Sequence, residues 1–153
     1  MGQGYELQCR CGNRITLLTG VGFLYFKTCE DLYQEVKNGS WGKNWTSFIK
    51  KYPDGLFDAT LEVYQCPMCN NLSNENVGNY YIADCDVDDF ELENHAYWKR
   101  FGKTYPNKKV RRHICSKCKK TMKRINFDRD SLICPKCGKK VPIGPIENMF
   151  LWD

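Results

Sequence analysis

The chain has 153 residues, of which 42% are hydrophobic and 14% aromatic, and its formal net charge at pH 7 is +5. This composition excludes a globally disordered chain, and no stretch approaches the roughly 20 apolar residues that a membrane-spanning helix needs. The length fits one ordinary domain or two small ones. Because the amino terminus lacks the basic and then apolar pattern of a secretory signal, we expect a cytoplasmic protein with no membrane partner.

Charged residues are distributed unevenly along the chain. Residues 61–98 contain eight Asp and Glu and no Lys or Arg, whereas residues 99–153 contain 16 Lys and Arg against four Asp and Glu. Residues 1–60 are nearly balanced, with seven Lys and Arg against six Asp and Glu. Together with the positions of the cysteines, this pattern predicts three consecutive segments: residues 1–83, 84–107 and 108–153.

The first predicted segment combines strands with two helices. Thr28 is a suitable N-cap for a helix over residues 28–37, whose first turn is acidic, as the positive end of a helix dipole favours. A second helix is predicted over residues 44–52, because its apolar side chains recur at helical spacing. Alternating or apolar runs predict strands over residues 5–8, 14–18, 59–65 and 80–83.

The other two segments differ in character. The middle segment is acidic and then basic, and we interpret it as a linker or an irregular packing arm. The last segment is predicted to be a compact module with a strand leading to Cys115, a return strand over residues 121–127, a turn at residues 128–130 and a strand leading to Cys134. The final apolar residues, 149–152, are predicted to dock on the folded protein.

Eight of the ten cysteines form four close pairs: Cys9 and Cys11, Cys66 and Cys69, Cys115 and Cys118, and Cys134 and Cys137. Disulfides do not persist in a reducing cytosol, where pairs at this spacing more often hold metal. Four pairs supply two sets of four thiolates, and a tetrahedral zinc ion takes four such ligands. The sequence therefore predicts two bound Zn²⁺ ions.

The spacing also predicts how the pairs combine. The third and fourth pairs have the gaps of a four-thiolate zinc ribbon, with 15 residues between Cys118 and Cys134. The first and second pairs are then assigned to the other ion, so that the two helices form an insertion between the halves of the first ribbon. The predicted fold class is α+β, small and β-rich, with two four-cysteine zinc ribbons. Because four cysteines leave no open position for water or substrate, both ions are predicted to be structural.

The two cysteine quartets resemble those of the zinc-ribbon (rubredoxin-like) class, over roughly residues 5–18, 60–82 and 110–141. The opening Gly4-Tyr5 with Cys9-Arg10-Cys11-Gly12 is also similar to small uncharacterised bacterial proteins with two zinc ribbons. The resemblance implies a metal and a fold but no agreed activity, because zinc ribbons serve nucleic-acid binding, protein docking and purely structural roles.

The basic second ribbon predicts contact with nucleic acid, either DNA or RNA, because dense cationic side chains on a small scaffold attract phosphate. The predicted phosphate contacts are Lys108, Lys109, Arg111, Arg112, Lys119, Lys120, Lys123 and Arg124. Three aromatic residues lie among the first of these charges and are suited to stack on bases: Trp98, Phe101 and Tyr105. The same charges also suit an acidic protein surface, and the acidic middle segment can neutralise part of them within the chain.

An alternative function is a protein-interaction adaptor with purely structural zinc ions. It would use exposed aromatic residues and the apolar tail: Phe23, Tyr25, Phe26, Trp41 and residues 149–152. An enzyme with a small-molecule substrate is not expected, because the two histidines, His95 and His113, give little material for a catalytic constellation. The remaining cysteines, Cys29 and Cys85, have acidic neighbours that raise a thiol pKa, so we interpret them as ordinary, part-buried residues.

Overall fold

The computed structural model describes residues 2–21, 27–53, 55–82, 107–127, 129–141 and 149–152. Its elements in chain order are β1 (Gly2–Gln8), β2 (Arg14–Gly20), α1 (Cys29–Lys37), α2 (Lys43–Lys51), β3 (Gly55–Phe57), β4 (Leu61–Gln65), β5 (Leu72–Asn76), β6 (Tyr80–Ile82), β7 (Asn107–Lys109), β8 (Lys123–Arg124), β9 (Leu132–Ile133), β10 (Lys140–Val141) and β11 (Met149–Trp152). Among the described residues, neither helix has the length and apolar character that crossing a bilayer requires.

The chain divides into two compact units, and each unit is built from separate stretches of sequence. Unit 1 contains Met1–Leu24, Leu61–Glu75 and Arg112–Asp153, and unit 2 contains Tyr25–Thr60 and Asn76–Arg111. This division differs from the consecutive segments that the sequence predicted, because strands distant in sequence pair with one another. The predicted arm over residues 84–107 lies outside the described residues except at its last position.

Unit 1 is organised by the larger sheet, in which the strands follow the order β11-β1-β2-β4-β5 and β8 also pairs with β4. Strands β1 and β2 form an antiparallel hairpin with Leu7 opposite Ile15, and this hairpin confirms the two strands predicted there. Tyr64 of β4 lies opposite Arg124 of β8. The pairing of β4 with β8 brings the carboxy-terminal part of the chain next to a strand from its middle.

The apolar carboxy-terminal residues form the edge strand β11, which confirms that they dock on the folded protein. β11 pairs antiparallel with β1, and Phe150 lies opposite Gly4. A Cβ atom on Gly4 would fall 2.2 Å from Cζ of the Phe150 ring. Glycine therefore leaves the space in which this ring covers β1.

Unit 2 contains α1, α2 and a sheet with the strand order β3-β6-β7. Helix α1 begins with the predicted cap, because the Asp31 N–H donates to Thr28 Oγ1 at 3.2 Å and the Thr28 N–H donates to Asp31 Oδ2 at 2.8 Å. The core of the unit consists of buried side chains from both helices, from the sheet and from the segment that follows β3, namely Leu32, Val36, Ile49, Phe57, Ala59 and Tyr80. Both predicted helices are confirmed to within a residue at each end.

The strands predicted around the last two cysteine pairs are longer than those in the structure. Strands β8, β9 and β10 have two residues each, and Cys115 is preceded by an isolated bridge between Ile114 and Thr121. Strand β7 pairs with β6 in unit 2 and does not lead directly to Cys115. Tight turns at the cysteine pairs take up most of these residues, so only short ladders fit between them.

Candidate metal centres

Each cysteine pair lies in a tight backbone turn, which we call a knuckle. Knuckles 2, 3 and 4 span residues 66–71, 115–120 and 134–139. In each, the N–H of the first cysteine donates to the carbonyl five residues later, and the N–H four residues later donates back to the carbonyl of that cysteine. Knuckle 1, residues 9–13, makes the same two bonds with one residue fewer. Knuckle 1 is therefore a shortened form of the same turn, with a single residue between Cys9 and Cys11.

The residue directly after the second cysteine has a left-handed conformation in all four knuckles. The φ angles are 82° for Gly12, 56° for Asn70, 61° for Lys119 and 71° for Gly138. Glycine tolerates this region because it has no Cβ atom, and asparagine tolerates it better than most L-residues. Lysine occupies it in knuckle 3 at a conformational cost.

The four knuckles gather their sulfur atoms into two clusters, and in each cluster all four Sγ atoms lie within 4.8 Å of one another. Cluster A consists of Cys9, Cys11, Cys134 and Cys137, and cluster B consists of Cys66, Cys69, Cys115 and Cys118. Both clusters belong to unit 1. These two groups are the candidate metal-ligating sets in the described part of the chain.

The distances within the clusters exclude disulfide bonds. In cluster A the Sγ atoms of Cys9 and Cys137 are 3.5 Å apart and those of Cys11 and Cys134 are 3.8 Å apart. In cluster B the corresponding distances are 3.3 Å for Cys66 with Cys118 and 3.5 Å for Cys69 with Cys115. A disulfide requires about 2.05 Å. Four sulfurs at these separations suit four ligands around one ion.

The predicted combination of the pairs is wrong. The sequence assigned the first pair to the second and the third to the fourth, whereas knuckle 1 meets knuckle 4 and knuckle 2 meets knuckle 3. The reason lies in the sheet of unit 1: β4 ends at knuckle 2, and its partner β8 follows knuckle 3. Leu7 and Cys9 share one hydrophobic cluster with Leu132 and Cys134, which holds knuckle 4 beside knuckle 1. The helices therefore do not lie between knuckle 2 and its partner knuckle 3. They lie, with the whole of cluster B, in the long stretch of sequence between the two halves of cluster A.

Gln65 links the approaches to both clusters and was not predicted as a functional residue. Its buried side chain donates to the carbonyl of Ile133 at 2.7 Å and accepts from the N–H of Ile133 at 3.0 Å. Gln65 directly precedes Cys66 of cluster B, and Ile133 directly precedes Cys134 of cluster A. The signal in the sequence was the alternation of β4, which places this polar residue on the same face as Leu61 and Val63.

In each cluster, backbone amides stabilise the thiolate of a first cysteine of a knuckle. The N–H of Cys118 lowers the pKa of the Cys115 thiol, whereas burial raises it. The N–H of Lys117 lowers the pKa as well, and the pKa falls to about 6. Burial raises the pKa of Cys134, but the N–H groups of Cys137 and Lys136 outweigh burial, and the pKa again falls to about 6.

Neighbouring sulfurs act in the opposite direction on other members of the clusters. The backbone N–H of Cys11 lowers the pKa of the Cys9 thiol. Burial and the sulfurs of Cys11 and Cys137 outweigh this effect and raise the pKa to about 12. The same balance, with the Asn71 N–H on the lowering side, raises the pKa of Cys69 to about 12. Four thiolates therefore coexist in such a cluster only when a cation neutralises them. The donor set, its spacing and its electrostatics all fit a bound metal ion.

The first cysteine of every knuckle is buried, whereas the second is exposed or half-buried. Cys11 is the exposed one, and Cys69, Cys118 and Cys137 are intermediate. In cluster A the Asn13 side-chain amide also donates to the Cys134 sulfur at 3.6 Å. Cluster A therefore has the more accessible ligand.

The predicted phosphate contacts are distributed over both units. In unit 2, Lys109 Nζ lies 4.4 Å from the centroid of the Trp45 ring and donates to the Asn44 carbonyl at 2.8 Å. Also in unit 2, Arg111 Cζ lies 3.8 Å from the centroid of the Trp41 ring. Both cationic groups therefore contribute to the packing of that unit.

The predicted contacts of unit 1 face solvent. Arg112, Lys119 and Lys120 are exposed. Lys123 Nζ lies 3.2 Å from Asp130 Oδ1, and Arg124 forms an ion pair with Glu62. The first three are therefore the predicted contacts best placed for an external phosphate. The side chain of Lys108 lies outside the described residues.

The other predicted residues have varied positions. Trp41 is partly buried and packs edge-on against Trp45 and Phe57, at centroid distances of 5.2 and 5.4 Å, so it flanks the core of unit 2. His113 is buried and stacks on Tyr64 at 3.8 Å. Cys29 is partly buried and donates to the Phe57 carbonyl at 2.9 Å. The remaining ones lie outside the described residues: Phe23, Tyr25, Phe26, Cys85, His95, Trp98, Phe101 and Tyr105.

Comparison of the chain with models of protein families, with curated proteins and with solved structures found no match. The function of the chain is therefore inferred from the chemistry of the two clusters and of the side chains around them.

Proposed function

We propose that the chain is a non-enzymatic binding protein in which each cluster holds one structural zinc ion. Four thiolates at the usual Zn–S distance of about 2.3 Å lie about 3.8 Å apart in a tetrahedron, and the closest Sγ–Sγ distances of 3.3 to 3.8 Å are near this value. Four protein ligands leave no position for water or substrate. The ions then stabilise unit 1 and do not take part in a reaction.

We further propose nucleic acid as the partner, contacted through exposed cations on the knuckles of unit 1. The carrying observation is that three of the four knuckles present exposed cationic side chains: Arg10 in knuckle 1, Lys117, Lys119 and Lys120 in knuckle 3, and Lys136 and Lys139 in knuckle 4. Arg112 extends this set beside knuckle 3. Side chains on rigid, metal-fixed turns lose little conformational freedom when they contact a phosphate.

The local arrangement of charge matters more than the total. A zinc ion with four thiolates carries a formal charge of −2, so two loaded clusters lower the net charge of the chain from +5 to +1. A general attraction to polyanions is therefore weak. Binding to nucleic acid would depend on the particular cations that project from the knuckles.

The test is a salt titration of nucleic-acid binding with the metal-loaded chain. Binding of a fluorescently labelled single strand is measured by anisotropy for the wild type and for the triple variant Arg112→Gln, Lys119→Gln, Lys120→Gln. Each lost phosphate contact lowers the slope of log K against log salt by about 0.7 for a single strand, so the triple variant should lose a slope of about 2.

The matched control is Lys37→Gln, Lys43→Gln, Lys50→Gln, which removes the same charge from exposed positions on the helices of unit 2. This control should bind like the wild type. If both triple variants weaken nucleic-acid binding equally, binding depends on net charge alone, which would contradict the proposed surface. Absence of binding to DNA and RNA at low salt would remove the nucleic-acid function.

A protein-interaction adaptor is the second candidate, because two large apolar side chains near cluster B are exposed. Met68, inside knuckle 2, is 70% exposed, and Ile114, directly before Cys115, is 53% exposed. Together with the cations of knuckle 3 they would suit an acidic and partly apolar protein surface. If Met68→Gln and Ile114→Gln leave nucleic-acid binding intact but abolish binding to a co-purified protein, the adaptor function is supported.

A further inference from the structure

A cleft of about 570 Å³ opens beside cluster A. Its walls come from knuckle 1, from the turn before β9 and from the end of knuckle 4, and its lining residues are Cys9, Arg10, Phe127, Asp130, Ser131, Lys139, Lys140 and Val141. All of them belong to unit 1. The volume lies within the range of about 300 to 1,000 Å³ that is usual for small-molecule and cofactor sites.

An aromatic ring forms part of the wall of this cleft. Phe127 stacks on Tyr5 with the ring centroids 4.5 Å apart and an angle of 19° between the planes. This contact holds the Phe127 ring in one orientation, and both residues remain partly exposed at the edge of the core. A fixed, partly exposed ring is a suitable surface for stacking of a nucleobase, which contributes about 1 to 3 kcal/mol per base.

The charged lining of the cleft is mostly cationic. Arg10, Lys139 and Lys140 are exposed cations. The only lining carboxylate among the described residues, Asp130, already accepts from the Asn126 N–H at 3.0 Å and pairs with Lys123 at 3.2 Å. A metal-loaded cluster A would contribute a formal −2 through Cys9 and its neighbours, so the cleft is close to neutral overall. The cations at its mouth therefore suit the phosphates that flank a base better than they suit a free, highly charged anion.

We propose that this cleft receives one unstacked base of a single-stranded nucleic acid, with Phe127 as the stacking surface and Arg10, Lys139 and Lys140 as contacts to the flanking phosphates. The proposal rests on the proposed nucleic-acid function and adds the form of the partner. A duplex keeps its bases stacked and paired, so it cannot offer one without paying for unstacking. The Ser131 hydroxyl lies in the same lining and can bond to a polar edge of the base.

The experiment compares single-stranded and duplex oligonucleotides of the same sequence, using the metal-loaded full chain. Phe127→Leu keeps an apolar side chain against the core but removes the ring, and it should weaken single-strand binding about tenfold, in keeping with the loss of one stacking contact. Phe150→Leu, at a 38% exposed position of β11, is the matched control and should leave binding unchanged.

A second pair of variants tests the cations. Lys139→Gln with Lys140→Gln should lower the salt slope by about 1.4, because each phosphate contact to a single strand contributes about 0.7. Lys43→Gln with Lys50→Gln is the control, since both lysines are exposed on α2 of unit 2 and neither lines the cleft. This control should leave the slope unchanged.

A cross-linking measurement keeps the proposal testable even if Phe127→Leu unfolds. A single strand that carries 5-iodouracil should cross-link to the peptide containing Phe127 when irradiated with wild-type protein. A strand that binds with unchanged affinity to both cleft variants, or that cross-links only elsewhere, overturns the cleft and leaves the proposed function standing. A duplex that binds as tightly as the single strand also overturns the cleft. If neither nucleic acid binds at any salt concentration, the proposed function and the cleft fail together.

Discussion

At the scale of single residues, the position after each knuckle's second cysteine determines how closely the turn can close. All four such residues have positive φ, and nothing lies within 4 Å of the place where a Cβ atom on Gly138 would fall. A substitution there acts on the backbone alone. The sequence offers a natural comparison, since asparagine occupies the same place in knuckle 2 and lysine in knuckle 3.

We therefore expect Gly138→Ala to lower the free energy of unfolding by about 1 to 2 kcal/mol, which is the cost of the left-handed region for a residue with a Cβ atom. Gly138→Asn should cost clearly less, because asparagine visits this region more readily. Urea denaturation at a fixed metal concentration measures both values. Equal losses for the two variants would mean that something other than the φ angle limits this turn.

The cap of α1 also depends on two single residues, Thr28 and Asp31. The Thr28 N–H and hydroxyl both donate to Asp31 and lower the pKa of its carboxyl below the ordinary value. A lowered pKa contributes stability above the pKa of the unfolded chain, near 3.8, and the contribution is lost as the pH falls through the lower folded value.

Thr28→Ala should cost about 1 kcal/mol by removing the acceptor for the Asp31 N–H. Between pH 6 and 8 the cost should stay constant, because Asp31 is fully ionised throughout this range. Thermal unfolding at several pH values checks both statements, with Thr28→Ser as the control that keeps the hydroxyl. A cost that changes with pH in this range would assign the effect to another titrating group.

At the scale of elements, the link between β4 and β9 is made by one side chain. Gln65 satisfies both backbone groups of Ile133, and its amide also donates to the Asn70 carbonyl at 3.1 Å inside knuckle 2. Gln65→Leu has a similar size but leaves these buried groups without a partner, so it should destabilise the chain by about 1 to 3 kcal/mol. Gln8→Leu, at an exposed position of β1, is the control and should change stability little. Similar values for the two variants in urea denaturation would contradict the link.

The elements that were predictable depend on neighbours in sequence. The β1–β2 hairpin follows from alternation on both sides of a short turn, and α1 follows from Thr28 and the apolar stripe behind it. The combination of the knuckles was not predictable in this way. Four equivalent knuckles can combine in three ways, and the choice depends on the pairing of β4 with β8, whose residues are about sixty positions apart. The two-residue strand β8 carries too weak a pattern to reveal that pairing.

At the scale of the whole chain, each metal ion would act as a cross-link between distant segments. Cluster A joins residues near position 10 to residues near position 135, and cluster B joins positions near 67 to positions near 117. The loop closed by cluster B therefore lies within the loop closed by cluster A. Long closed loops restrict the unfolded chain most, so metal binding in cluster A should contribute strongly to the stability of unit 1.

The same arrangement predicts how many ions each combination of cysteine variants retains. Replacing Cys9, Cys11, Cys134 and Cys137 with serine should remove cluster A alone, so native mass spectrometry should find one ion per chain. Replacing Cys9, Cys11, Cys66 and Cys69 should damage both clusters and leave no tightly bound ion, although the number of cysteines removed is the same. Consecutive pairing of the knuckles predicts the reverse result for these two variants, since the second would then spare a complete set. Thiolate sites with two ligands hold zinc far more weakly than complete four-ligand sites. The two ion counts therefore distinguish the two ways of combining the knuckles. One ion retained by the second variant would contradict the clusters described above.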